Sequence, residues 1–107
     1  PTDERSQFFL KLSQDQAKWG IDAANAFREG IALYEAGDLS RASERFNRAV
    51  GRNEMYSEAW AWLGRVAFEV GDYTNATIYY QEATRLEPSN ETYSYFFEES
   101  QRRAGSN

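Results

Sequence analysis

At 107 residues with a net charge of −5 and no cysteine, the chain is sized for one domain, spanning residues 1–107, and has neither a disulfide framework nor thiolate chemistry. Apolar residues at 41% and charged residues at 27% are ordinary for a folded protein, which argues against bulk disorder. The acidic balance disfavours a nucleic-acid partner, because that affinity rests on neutralised phosphates. No apolar run is long enough to span a bilayer and no signal peptide is recognisable, so a soluble protein without membrane insertion is expected. The missing cysteines leave the compartment open, with the cytoplasm slightly favoured. The opening Pro1-Thr2-Asp3 carries no Met and points to a natural N-terminus further upstream.

The chain reads as six helices. Glu4 to Trp19 is the first, with Phe8, Leu12 and Trp19 near helical spacing and Phe9 and Gln16 beside them, and Gly20 breaks it. Ile21 to Ala36 is the second, stopped by Gly37, where glycine tolerates the left-handed conformation of a helix end. Asp38 caps the third, Leu39 to Gly51, whose inward positions are Ala42, Phe46 and Ala49. Asn53-Glu54 turns into the fourth, Met55 to Val70, and Gly71-Asp72 stops that one and starts the next. The fifth, Tyr73 to Leu86, turns Ala76, Tyr80 and Ala83 inward, and Pro88 prevents its continuation. The sixth runs from Asn90 to Ala104, with a frayed tail at Gly105-Ser106-Asn107.

A period of 34 residues runs through the list. Gly30 pairs with Gly64, Gly37 with Gly71 and Gly105, and Asp38 with Asp72. Ala42, Phe46 and Ala49 pair with Ala76, Tyr80 and Ala83. Helix pairs at a fixed spacing are a repeat-protein signature, in which no pair buries its apolar face alone and each stacks on its neighbours. Small residues at Gly64, Ala76 and Ala83 allow close helix approach, and Trp60, Leu63 and Tyr80 fill the space around it.

Trp60, Leu63, Gly64, Gly71, Asp72, Tyr73, Ala76, Tyr80, Ala83 and Pro88 stand in the order and spacing of the tetratricopeptide repeat family, which residues 57–90 closely resemble. Ala67 departs, since an aromatic is usual there. Residues 23–56 resemble a weaker copy, departing at Ala26, Glu29 and Glu54. The resemblance implies an all-α fold: a right-handed superhelical stack of antiparallel helix pairs, about two repeats, with residues 91–104 as a solvating cap. Residues 4–19 lie outside it as an extra N-terminal helix, because Phe9 and Gln16 stand where a preceding repeat would carry alanines.

Chemistry has little to rest on. There is no His, the Glu residues fall on exposed helical faces, no His/Cys cluster has metal-ligand spacing, and no glycine run cradles phosphate. No catalytic residue, cofactor or metal site is expected, and the protein is read as a non-enzyme. Asn75-Ala76-Thr77 and Asn90-Glu91-Thr92 match the glycosylation triplet and are read as coincidence, since Asn90 has a capping role open to it.

Phe27, Ile31 and Tyr34 share one face of the second helix, apart from the face carrying Gly30 and Leu33. The resemblance implies that first helices of successive pairs line a concave groove for a peptide or helix. The lining positions carried over are Ala24, Phe27, Ile31, Tyr34 and Glu35, then Glu58, Ala61, Arg65, Phe68 and Glu69, then Thr92, Tyr95, Glu99, Arg102 and Arg103. Phe27, Ile31, Tyr34, Trp62, Arg65, Phe68 and Tyr95 are the candidate partner contacts, since aromatic and arginine anchors dominate binding energy. The opposing expectation is that the N-terminal helix covers Phe27, Ile31 and Tyr34. A subgroup of the family that binds chaperone tails carries Lys and Asn where Phe27 and Ile31 stand and Asn where Trp62 stands; none matches.

Arg41, Arg45, Arg48 and Arg52 fall within a stripe of about 60° on the third helix and read as a solvated face. Tyr93, Phe96 and Phe97 line the packing face of the last helix, with Tyr95 off it. The leading reading is a non-catalytic module that binds a peptide or helix of a partner protein. The alternative is a scaffolding module that self-associates through its terminal helices as a homo-oligomer.

Overall fold

The computed structural model describes residues 4–105, with side chains from residue 11 onward. Six helices follow in order: α1 (Glu4–Trp19), α2 (Ile21–Glu35), α3 (Leu39–Arg52), α4 (Ser57–Glu69), α5 (Tyr73–Leu86) and α6 (Glu91–Gly105). They divide between two compact units, Pro1–Glu54 and Met55–Asn107. In the first, α1 packs on α2 and α2 on α3; in the second, α4 packs on α5 and α5 on α6. The side chains of Phe8 and Phe9 and the tail Ser106-Asn107 lie outside the described residues.

The two helix pairs end and start by the same local chemistry, displaced by 34 residues. After α2, Gly37 at φ 85° donates to the Tyr34 carbonyl and Asp38 N to Leu33. After α4, Gly71 at φ 82° donates to Phe68 and Asp72 N to Ala67. These paired bonds close the left-handed turn that lacks a steric penalty only at glycine. The residue after each glycine then caps the next helix: Asp38 accepts from Arg41 N at 3.1 Å, and Asp72 from Asn75 N at 3.2 Å. Each cap answers one of the orphaned N–H groups of a helix start.

Several boundaries shift by one or two residues from the sequence expectation, and three of the shifts have a local cause. α4 begins at Ser57 rather than Met55, because Asn53 is extended (φ −149°, ψ 103°), and the Tyr56 carbonyl is the first to accept from the helix, from Ala59 and Trp60. Asn90 stands outside α6 and caps it, its side-chain oxygen accepting from Tyr93 N. Gly105 is the last residue of α6 rather than a left-handed stop, since helical backbone continues through it.

Within unit one, Ala42, Phe46 and Ala49 are buried, and Phe46 lies against Gly30, where a Cβ would come within 2.6 Å of its ring. Within unit two, Ala76, Tyr80 and Ala83 are buried in the same pattern, and a Cβ on Gly64 would come within 2.7 Å of Tyr80. Missing side chains on one helix thus seat an aromatic ring from its partner, twice. Trp60, Phe68, Tyr79, Tyr93, Phe96 and Phe97 pack around the core of the second unit.

Polar contacts help hold α1 to the first unit. Asp15, only 4% exposed, accepts from Arg28 at 2.9 Å and pairs with Lys11 at 3.1 Å. Gln16 donates to Asn25, and the Asn53 amide donates to the Trp19 carbonyl, tying the end of α1 to the end of α3. No helix among the described residues is long and apolar enough to cross a membrane.

Candidate functional site

The second unit contains an open cleft of about 490 Å³. One wall is α4, which contributes Glu58, Ala61, Trp62, Arg65, Phe68 and Glu69. The residues recur at three- and four-residue steps because those positions share a helix face. The other wall is α6, through Thr92, Tyr93 and Phe96, and Tyr80 reaches in from α5. Its size and its mixture of aromatic walls with a few polar groups fall in the range of ligand-binding clefts.

Aromatic packing fixes the walls. Phe96 stacks on Tyr80 at 5.4 Å between centroids and meets Phe68 edge-on at 5.6 Å. Phe68 also meets Tyr73 edge-on at 5.2 Å, and the Arg103 guanidinium lies 4.8 Å over its ring. Arg65 lies 4.8 Å over the Trp62 ring and pairs with Glu69 at 3.4 Å. A cation over an aromatic face is attracted by the ring quadrupole, so Arg65 is held against its own wall. At the far end of α6, Arg102 and Arg103 both bond the Glu99 carboxylate and hold it below the usual carboxylate range, Arg102 the more strongly. Arg103 also donates to the Tyr73 hydroxyl at 3.3 Å.

The opposite end of the cleft is acidic. Burial of the Tyr93 ring raises its hydroxyl to about 12, and the charges of Glu87 and Glu58 add to the shift. Glu87 accepts from the Ser57 hydroxyl. Among the described residues, neither Glu58 nor Glu87 is in an ion pair.

Of the seven candidate contacts, the cleft brings together Trp62, Arg65 and Phe68. Tyr95 is 59% exposed and lies outside the lining, meeting Phe96 edge-on at 5.1 Å. In the other unit, Phe27 is 4% exposed and packs on Phe46 at 5.7 Å, while Ile31 and Tyr34 are partly exposed. Tyr80, Tyr93 and Phe96 were assigned to packing by their spacing. They do pack, and they also face the cleft. A heptad-scale pattern marks which side of a helix is apolar but not how much of each ring its neighbours leave open.

No group of three or more His, Cys, Asp or Glu among the described residues could hold a metal ion.

Helix pairs repeated at 34 residues, each seating an aromatic ring on a glycine of its partner helix, define a helical-repeat protein. The family model described as Tetratricopeptide repeat matches residues 27–91, more than half of the chain, and the chain belongs to that family.

Proposed function

We propose that the protein is a non-catalytic interaction module that takes a peptide or helix of a partner protein in the α4–α6 cleft. The observation that carries this reading is the cleft itself: aromatic walls held open by their own packing, with polar groups at both ends. Trp62, Arg65 and Phe68 would make the contacts there. The module comprises two repeats, residues 23–56 and 57–90, with residues 91–104 as the cap.

The test compares capture of partners by the wild-type chain with capture by Trp62→Ala plus Arg65→Ala, both checked for equal helicity. Loss of a bound partner in the variant supports the reading. Equal capture by both proteins overturns the cleft as the site.

A second reading, self-association through the terminal helices, is favoured by one observation: the exposed Tyr95 ring on α6. Sedimentation of wild type and Tyr95→Ala across concentration separates them, a strict monomer excluding self-assembly.

A further inference from the structure

The charges inside the cleft are unequally satisfied, and the inequality says what kind of segment it takes. Arg65 is matched by Glu69 and by the face of Trp62, so an acidic ligand would have to displace an existing partner. Arg102 and Arg103 share Glu99. Glu58 lines the cleft beside Tyr93, and the charge of Glu87 also reaches that ring. Among the described residues no Lys or Arg pairs with either carboxylate. The first turn of α4 offers Glu58 only the fractional positive charge of a helix start, about half an elementary charge. One end of the cleft therefore carries a net negative charge against aromatic walls, and the rest is lined by the packed aromatic cluster of Phe68, Phe96 and Tyr80.

Resting on the peptide-binding reading above, we infer that the occupant is a cationic–apolar segment: a Lys or Arg at Glu58 and an aliphatic or aromatic anchor against Phe68 and Phe96. Spacing follows from α4. Residues 58 and 68 are ten positions apart, about 15 Å along a helix axis. An extended peptide covers that distance in roughly four to five residues at about 3.3 Å each. The basic residue and the anchor are thus separated by about four positions. The ligand cation would meet the carboxylate and the Tyr93 ring together, a geometry in which ring and ion pair attract the same charge. The net charge of −5 on the whole chain steers such a segment inward.

The test uses a displayed library of random nonapeptides selected on the full wild-type chain, with selected peptides resynthesised and titrated by fluorescence anisotropy. The expected result is enrichment of Lys or Arg about four positions from an aliphatic or aromatic residue. Glu58→Gln should weaken these peptides by about three- to tenfold, and Trp62→Ala should weaken them as well. Affinity should also fall with added salt. Selected peptides that are acidic or neutral, or whose binding ignores Glu58→Gln while still depending on Trp62, overturn the charge inference and leave the cleft reading standing. Selected peptides indifferent to Trp62→Ala and Glu58→Gln alike, or no enrichment at all, overturn both.

Discussion

A methyl group built on Gly64 would sit 2.7 Å from Cδ2 and Cε2 of Tyr80, so the α4–α5 contact exists only because residue 64 has no side chain. Gly30 and Phe46 repeat the relationship in the other pair, at 2.6 Å. Both rings are held by their surroundings: Tyr80 is buried and stacked on Phe96, and Phe46 is fully enclosed.

Substitution at Gly64 sets two effects against each other. Alanine favours a helix over glycine by about 0.8–1.0 kcal/mol. Forcing Tyr80 aside costs about 1–3 kcal/mol. Gly64→Ala should therefore lose up to about 2 kcal/mol, and Gly64→Leu about 3 kcal/mol or more. Gly51 is the control, a helical glycine with nothing within 4 Å of its would-be Cβ. Gly51→Ala should gain about 0.5 kcal/mol, less than a mid-helix site because it lies in the last turn of α3. Urea denaturation with unchanged m-values reads all three. Equal midpoints for Gly64→Leu and wild type would contradict the packing described.

Phe27 and Trp62 should separate stability from recognition. Phe27 is enclosed against Phe46, so Phe27→Ala should cost about 3–5 kcal/mol and lower the melting temperature steeply. Trp62 is only partly buried on the cleft wall, and Trp62→Ala should cost no more than about 1.5 kcal/mol while weakening peptide binding. Thermal melts alongside anisotropy titrations check both. A Phe27→Ala protein that melts like wild type would show that the ring is not part of the core.

These contrasts mark where the sequence is informative. The helix pairs were legible because the same glycine, aspartate and alanine positions return after 34 residues, and each has a local task that needs no distant partner: a left-handed turn, a cap, a close approach. The α4 wall was legible through the family resemblance, which carries Arg65 and Phe68 over as lining positions, with Trp62 three residues before Arg65 on the same edge. The α6 wall was not. Tyr93, Phe96 and Tyr95 are all aromatic, and which of them closes a cleft depends on how α6 leans on α5, through Phe96 on Tyr80. Asp15 was missed altogether, because a single acidic residue in an amphipathic helix carries no sign that its partner will be Arg28.

That buried pair supports a prediction about α1. With Asp15 replaced by Asn, Arg28 loses its carboxylate in a partly buried setting, at a cost of about 1–3 kcal/mol. The loss should be local, because the pair bridges α1 and α2 and takes no part in the Gly30–Phe46 contact that joins α2 to α3. Amide hydrogen exchange should speed up across residues 12–19 in Asp15→Asn while protection in α2 and α3 stays near the wild-type level. Uniform loss of protection through α2 and α3 would mean that α1 is integral to the unit rather than appended to it.

Tyr93 gives the protein a stability limit at high pH. Burial first, then the charges of Glu87 and Glu58, disfavour the phenolate in the folded chain and raise the hydroxyl from about 10 in the unfolded chain to about 12. Between those values the unfolded chain releases a proton that the folded chain keeps. The stabilisation is therefore complete below pH about 10 and is lost as pH rises through about 12. Full conversion of the shift would overstate it, because the half-buried ring is partly screened by solvent, and about 1 kcal/mol is the expected size. Urea midpoints should fall over this interval in wild type and fall less in Tyr93→Phe, which has no proton to lose. Tyrosinate absorbance in wild type should include a late component near pH 12 that is missing in the variant. Glu58→Gln should move it to lower pH by removing one of the two charges that hold the proton on. An unshifted late component in Glu58→Gln would separate Glu58 from Tyr93 and with it the acidic end of the cleft.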